Sequence, residues 1–63
     1  MDRLFTIFEF SAEGPTRLGE VRGWEAAVKK AHEFAMGTRN EIRVMYLPDN
    51  AVLEILNQKQ NAA

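Results

Sequence analysis

His32-Glu33-Phe34-Ala35-Met36 begins as HExxH, the helical arrangement in which two histidines one turn apart hold zinc and the glutamate acts as base. Its fifth position is Met36, so the second ligand is missing. The chain has one histidine and no cysteine, which removes thiolate sites and every site built from two imidazoles. Gly14-Pro15-Thr16-Arg17-Leu18-Gly19 has the glycine spacing of a phosphate-cradling loop. That loop needs Lys and Ser or Thr next, and Glu20-Val21 stand there, with an acid aimed at the would-be phosphate. Ser11 has only a distant histidine to activate it as a nucleophile. No catalytic residue, metal or cofactor is expected, and the chain reads as a non-enzyme.

A third motif concerns nucleic acid. Arg3 to Phe10, RLFTIFEF, echoes the aromatic spacing of the RNA-recognition strand whose rings stack on bases. Leu4 and Thr6 replace its small residues, Ile7 replaces a ring, and Glu9 repels phosphate. Eight basic and nine acidic residues give a net charge of −1. Backbone binding of DNA or RNA is driven by Lys and Arg displacing counterions, so this balance is a poor start for it. Arg17, Arg22, Lys29, Lys30 and Arg43 remain the residues on which such binding would rest, as the alternative reading.

The elements that must position these residues are few. With 63 residues, 46% apolar and 27% charged, the chain has the composition of one folded domain. A core of that size supplies only about 3–5 kcal/mol. No apolar run approaches the roughly 20 residues of a membrane span, and no export signal is evident at Met1-Asp2-Arg3, so a cytoplasmic location is expected.

Leu4 to Phe10 is rich in aromatic and β-branched residues and predicts a strand. Ser11 to Thr16 predicts a six-residue loop, and Arg17 to Arg22 a weaker second strand interrupted by Gly19. From Trp24 to Met36, the positions Trp24, Ala27, Val28, Ala31, Phe34 and Ala35 recur at three- and four-residue steps, the signature of a helix with one apolar face. Gly23 is placed to enter it and Gly37 to leave it in the left-handed conformation. Glu41 to Leu47 predicts a third strand. Pro48-Asp49-Asn50 predicts a turn with Asn in a left-handed position, and Ala51 to Leu56 a returning fourth strand. The expected fold is α+β: ββαββ, two antiparallel hairpins joined by one helix packed on one face of the sheet. Residues 1–56 form the domain and 57–63 a flexible polar tail.

Gly19 to Ala35, GEVRGWEAAVKKAHEFA, carries a strand directly into an alanine-rich helix. In this it resembles small bacterial and phage ββαββ families, including the partial RNase H-like domain of the HicB antitoxins. The likeness spans residues 17–36. It implies the fold and assigns no functional residue.

A short helix covers one sheet face, so strands serving it should alternate apolar and polar residues. These do not. Leu4, Phe8 and Phe10 oppose Phe5 and Ile7; Met45 and Leu47 oppose Ile42, Val44 and Tyr46; Val52 and Leu56 oppose Leu53 and Ile55. Whichever set meets the helix, an apolar set is left over, and such a patch marks an interaction site. The expected function is therefore a protein-binding module, an inhibitor, adaptor or regulator, paired with itself as a homodimer or with another protein. Phe5, Phe8, Phe10, Met45, Tyr46 and Leu47 are the candidate contact residues.

Overall fold

A computed structural model describes residues 2–58. Strands β1 (Leu4–Ser11) and β2 (Gly14–Arg22) lead into helix α1 (Trp24–Met36), which is followed by β3 (Glu41–Tyr46), a 3₁₀ turn (Leu47–Asp49) and β4 (Ala51–Leu56). The fold is α+β in the order ββαββ, with four antiparallel strands arranged β2-β1-β3-β4. Strand β1 is central. It pairs with β2 through a hairpin and with β3 across the helix, so β2 and β3 run parallel on either side of it with α1 as their crossover.

The first connection is tighter than the six residues expected. Only Ala12 and Glu13 separate the strands. The Ser11 hydroxyl accepts from the Glu13 N–H at 3.2 Å and donates to the Gly14 carbonyl at 3.3 Å, and Gly14 takes φ 112°. Pro15, read as a turn residue, lies inside β2 opposite Phe10. It is tolerated because β2 is an outer strand, where a missing N–H leaves no ladder bond unmade.

Each outer strand carries one extra residue. Ile7 pairs with Gly19 and Phe8 with Arg17, leaving Leu18 unopposed; Val44 pairs with Glu54 and Met45 with Val52, leaving Leu53 unopposed. A bulge of this kind shifts the alternation of side chains by one. Simple alternation along β4 therefore fails: Val52 and Ile55 share a face, with Met45 and Arg43, while Leu56 sits with Ile42.

The core joins Ala27 and Ala31 of α1 to Phe5 and Ile7 of β1 and Ile42 and Val44 of β3. Leu18, Val21, Phe34, Ala35, Tyr46 and Leu56 pack around it. This answers which strand residues face the helix: the set containing Phe5, Ile7, Ile42, Val44 and Tyr46. The two alanines let the helix backbone approach the sheet, and the larger strand side chains fill the space between.

The helix termini depart from expectation in an informative way. Gly23 enters with φ 92° and no side-chain cap. Gly37, expected to be left-handed, has φ −94° and ψ 0°, its N–H bonding to the Phe34 carbonyl at 3.0 Å in a 3₁₀ closure. A left-handed glycine is not needed because the last carbonyls are satisfied from elsewhere. The Asn57 side-chain amide donates to the carbonyls of Ala35, Thr38 and Asn40 at 2.9, 3.0 and 3.2 Å. Asn57 itself adopts φ 58°. Of the expected tail, residues 59–63 lie outside the described residues.

Glu9 holds the same loop from the other side. Its carboxylate accepts from the Thr38 hydroxyl at 2.7 Å and the Asn40 amide at 3.0 Å. These bonds favour the charged form, Thr38 most, and keep the carboxyl below its ordinary value of 4.5 despite the opposing effect of partial burial. A carboxyl with a depressed folded pKa lends stability above the ordinary carboxylate range and loses it as pH falls through the folded value.

Two outcomes follow. Asn57→Ala removes an amide shared by three carbonyls and places a Cβ in a left-handed backbone, lowering stability by about 1–2 kcal/mol, or on the order of 5–10 °C in a thermal melt. Asn57→Gly relieves the backbone and loses less; a melt unchanged in both variants shows that the amide holds nothing. On acidification from neutral pH to below the ordinary carboxylate range, the melting temperature of the native chain falls further than that of Glu9→Gln. Parallel pH profiles of the two proteins remove the role given to Glu9.

Candidate interaction face

Side chains directly opposite one another in antiparallel strands lie on the same side of a sheet, so the pairings define the face turned away from α1. Strand β1 contributes Leu4, Thr6, Phe8 and Phe10, which alternate with the core residues Phe5 and Ile7. Opposite them β2 places Arg22, Glu20, Arg17 and Pro15, and β3 places Met45, Arg43 and Glu41. Strand β4 adds Val52 and Ile55.

The apolar members form a diagonal band. Leu4 and Val52 are each 40% exposed, and Phe8, Phe10, Met45 and Ile55 are half-buried. Phe8 and Phe10 are tilted against each other with ring centroids 6.3 Å apart. Thr6, in the middle of the central strand, is only 3% exposed. Its cross-strand neighbours Glu20 and Met45 and its same-face neighbours Leu4 and Phe8 surround it.

Charge on this face is arranged in local pairs. Arg17 meets Glu20 at 2.7 Å, and the Arg43 guanidinium meets Glu41 while lying over the Phe10 ring at 4.2 Å. Arg22 completes the set. The leftover face is thus a mixed one, an apolar band carrying three arginines and two glutamates, and not the wholly apolar surface that alternation suggested. The arginines arrive there because β2 places Arg17, Glu20 and Arg22 on one side; the bulge at Leu18 is what brings Arg17, rather than Leu18, opposite Phe8. Nothing in local spacing announces that bulge beyond Gly19 beside it.

The six residues expected to contact a partner divide between different places. Phe8, Phe10 and Met45 share the open face. Phe5 is 6% exposed in the core, its ring edge-on to Trp24 at 5.4 Å and tilted to Tyr46 at 6.0 Å; packing against the helix takes it out of reach of a partner. Tyr46 lies on the same helix side, half-buried, with Arg3 over its ring at 5.2 Å. Leu47 sits in the 3₁₀ turn, 38% exposed. Leu4 and Thr6 join Phe8 and Phe10 by alternation along β1, whereas Val52 and Ile55 share the face only through the strand pairings and the Leu53 bulge.

The residues considered for chemistry stay apart. His32 is exposed on α1, and Gly14 and Gly19 lie in β2 as turn and strand residues. Among the described residues no three His, Cys, Asp or Glu side chains gather as a metal site would require. No described helix is long and apolar enough to cross a membrane. Lys29 and Lys30 lie on the helix, away from Arg17, Arg22 and Arg43, and Lys30 is engaged with Glu33 at 3.6 Å. No protein family, curated protein or solved structure matches this chain.

Burial separates two classes of substitution. Phe8→Glu and Met45→Glu place a charge at the rim of water and keep native far-UV circular dichroism and the native Trp24 emission. Phe5→Glu buries a charge without a partner, at a cost of several kcal/mol, which exceeds the stability available to so small a core, about 3–5 kcal/mol. Its spectrum is that of an unfolded chain. A folded Phe5→Glu protein overturns the assignment of Phe5 to the core.

Proposed function

We propose that this chain is a non-catalytic protein-docking module, of the kind that serves as an inhibitor, adaptor or regulator, and that the open face of its sheet is the working surface. One observation carries the reading. Leu4, Phe8, Phe10, Met45, Val52 and Ile55 form an apolar band on the face opposite the helix, with Arg17, Glu20 and Arg22 along its β2 side and Arg43 crossing it over the Phe10 ring. A surface that brings aromatic, Met and Arg side chains together has the composition of protein interfaces.

A second reading has a specific observation in its favour: Arg17, Arg22 and Arg43 share the face with Phe8 and Phe10, and cationic grooves with exposed rings bind single-stranded nucleic acid. Arg17 and Arg43 are already neutralised by Glu20 and Glu41, which weakens phosphate binding and leaves protein docking ahead.

A photoreactive phenylalanine analogue placed at position 8 or 45 in living cells tests the docking reading against the same probe at Lys29 on the helix. Irradiation is expected to yield discrete higher-mass protein adducts from positions 8 and 45 and none from 29. Equal adduct patterns at all three positions, or none at any, sink it. Adducts with nucleic acid that vanish as salt rises support the second reading instead.

A further inference from the structure

We propose that the occupant of the open face is a second copy of this chain, the two sheets packing face to face with their helices outward. The inference rests on the docking reading and goes further by naming the partner.

Area is the first argument. Four strands at about 4.8 Å spacing make a face roughly 19 Å wide, and six to eight residues at about 3.3 Å make it roughly 20–27 Å long. The flat footprint is about 400–500 Å² per copy, and side-chain relief raises the accessible area above that. Two copies together would bury about 1,000 Å² or more, the level that specific interfaces reach. The share of each copy, roughly 500 Å², is about a tenth of the chain's 4779 Å² accessible surface, the share that such interfaces take from small proteins. Lateral pairing through β4 offers far less: six residues along a layer about 10 Å thick give roughly 200 Å² per copy.

Charge placement is the second. All three arginines of the face lie on β2 and β3, and β4 contributes only Val52 and Ile55 to it. A two-fold axis running along the strands sets β2 of one copy over β4 of the other. Each residue keeps its level along the strands, so Arg17 lies over Ile55 and Glu20 over Val52, while the two Arg43 residues, on an inner strand, flank the axis and bring like charges together. An axis across the strands, midway between the Thr6 and Phe8 levels, stacks β2 on β2 and brings Arg17 over Glu20, Arg43 over Met45 and Ile55 over Val52. The second arrangement is the one proposed: opposite charges meet at its edge and the apolar bands at its centre, as in two sheets packed face to face.

Light scattering behind size exclusion over a concentration series tests the pairing. The native chain is expected to rise from one to two chain masses, and Phe8→Glu and Met45→Glu to remain at one. A single-chain mass throughout overturns the inference, as does a dimer that both variants leave intact. Should a variant fail to fold, the native chain supplies its own control: on dilution the Met45 methyl resonance moves, whereas that of Met36, 88% exposed on the helix, does not. Matching or absent shifts overturn the proposal. A spin label at Glu20→Cys, in a chain without other cysteines, reads the axis: backbones about 12 Å apart for the arrangement proposed, about 17 Å for the one rejected. If the protein is a single chain but position 8 still yields adducts with other proteins, the self-pairing falls and the docking reading stands.

Discussion

Contact between two alanines and two central strands governs the rest of this molecule. Ala27 and Ala31 are the only fully buried helix residues among those described, and they meet Phe5, Ile7, Ile42 and Val44. Small side chains on the helix bring its backbone close to the sheet, so large strand residues fill the core without a second helix. The same closeness fixes which strand residues are spent inside. A helix of 13 residues is roughly 20 Å long and shields one side of four strands. The other side is left to a band of moderate-sized apolar residues with charges folded across it.

That division explains why the closing details sit where they do. The crossover from β2 to β3 must return the chain beside β1, and the loop after the helix is short and polar. Glu9 from the central strand and Asn57 from the end of β4 both reach this loop and satisfy its hydroxyl, amide and carbonyl groups. Two distant segments thus substitute for a conventional helix stop, and Gly37 is released from the backbone conformation its position suggested.

The elements were legible in the sequence because their signals are local. The alanine spacing marked Trp24 to Met36, β-branched and aromatic runs marked β1, β3 and β4, and Pro48-Asp49-Asn50 marked the turn, with Asn50 at φ 51°. What was not legible depends on pairing. The grouping of Phe8 with Met45 needed only alternation and the β1–β3 neighbourhood. The grouping of Ile55 with Val52, and of Arg17 with Phe8, needed two bulges that no spacing rule reveals. The core position of Phe5 was not legible, because an aromatic residue in a strand rich on both faces carries no mark of which side the helix will choose.

Those two bulges carry a wider consequence. Both unopposed residues, Leu18 and Leu53, fall on the outermost strands, where a neighbouring molecule would otherwise find a continuous row of hydrogen-bonding groups. An interrupted rim resists indefinite side-by-side growth into fibrils. A chain with so much β-forming sequence is thereby protected at its rims against open-ended stacking.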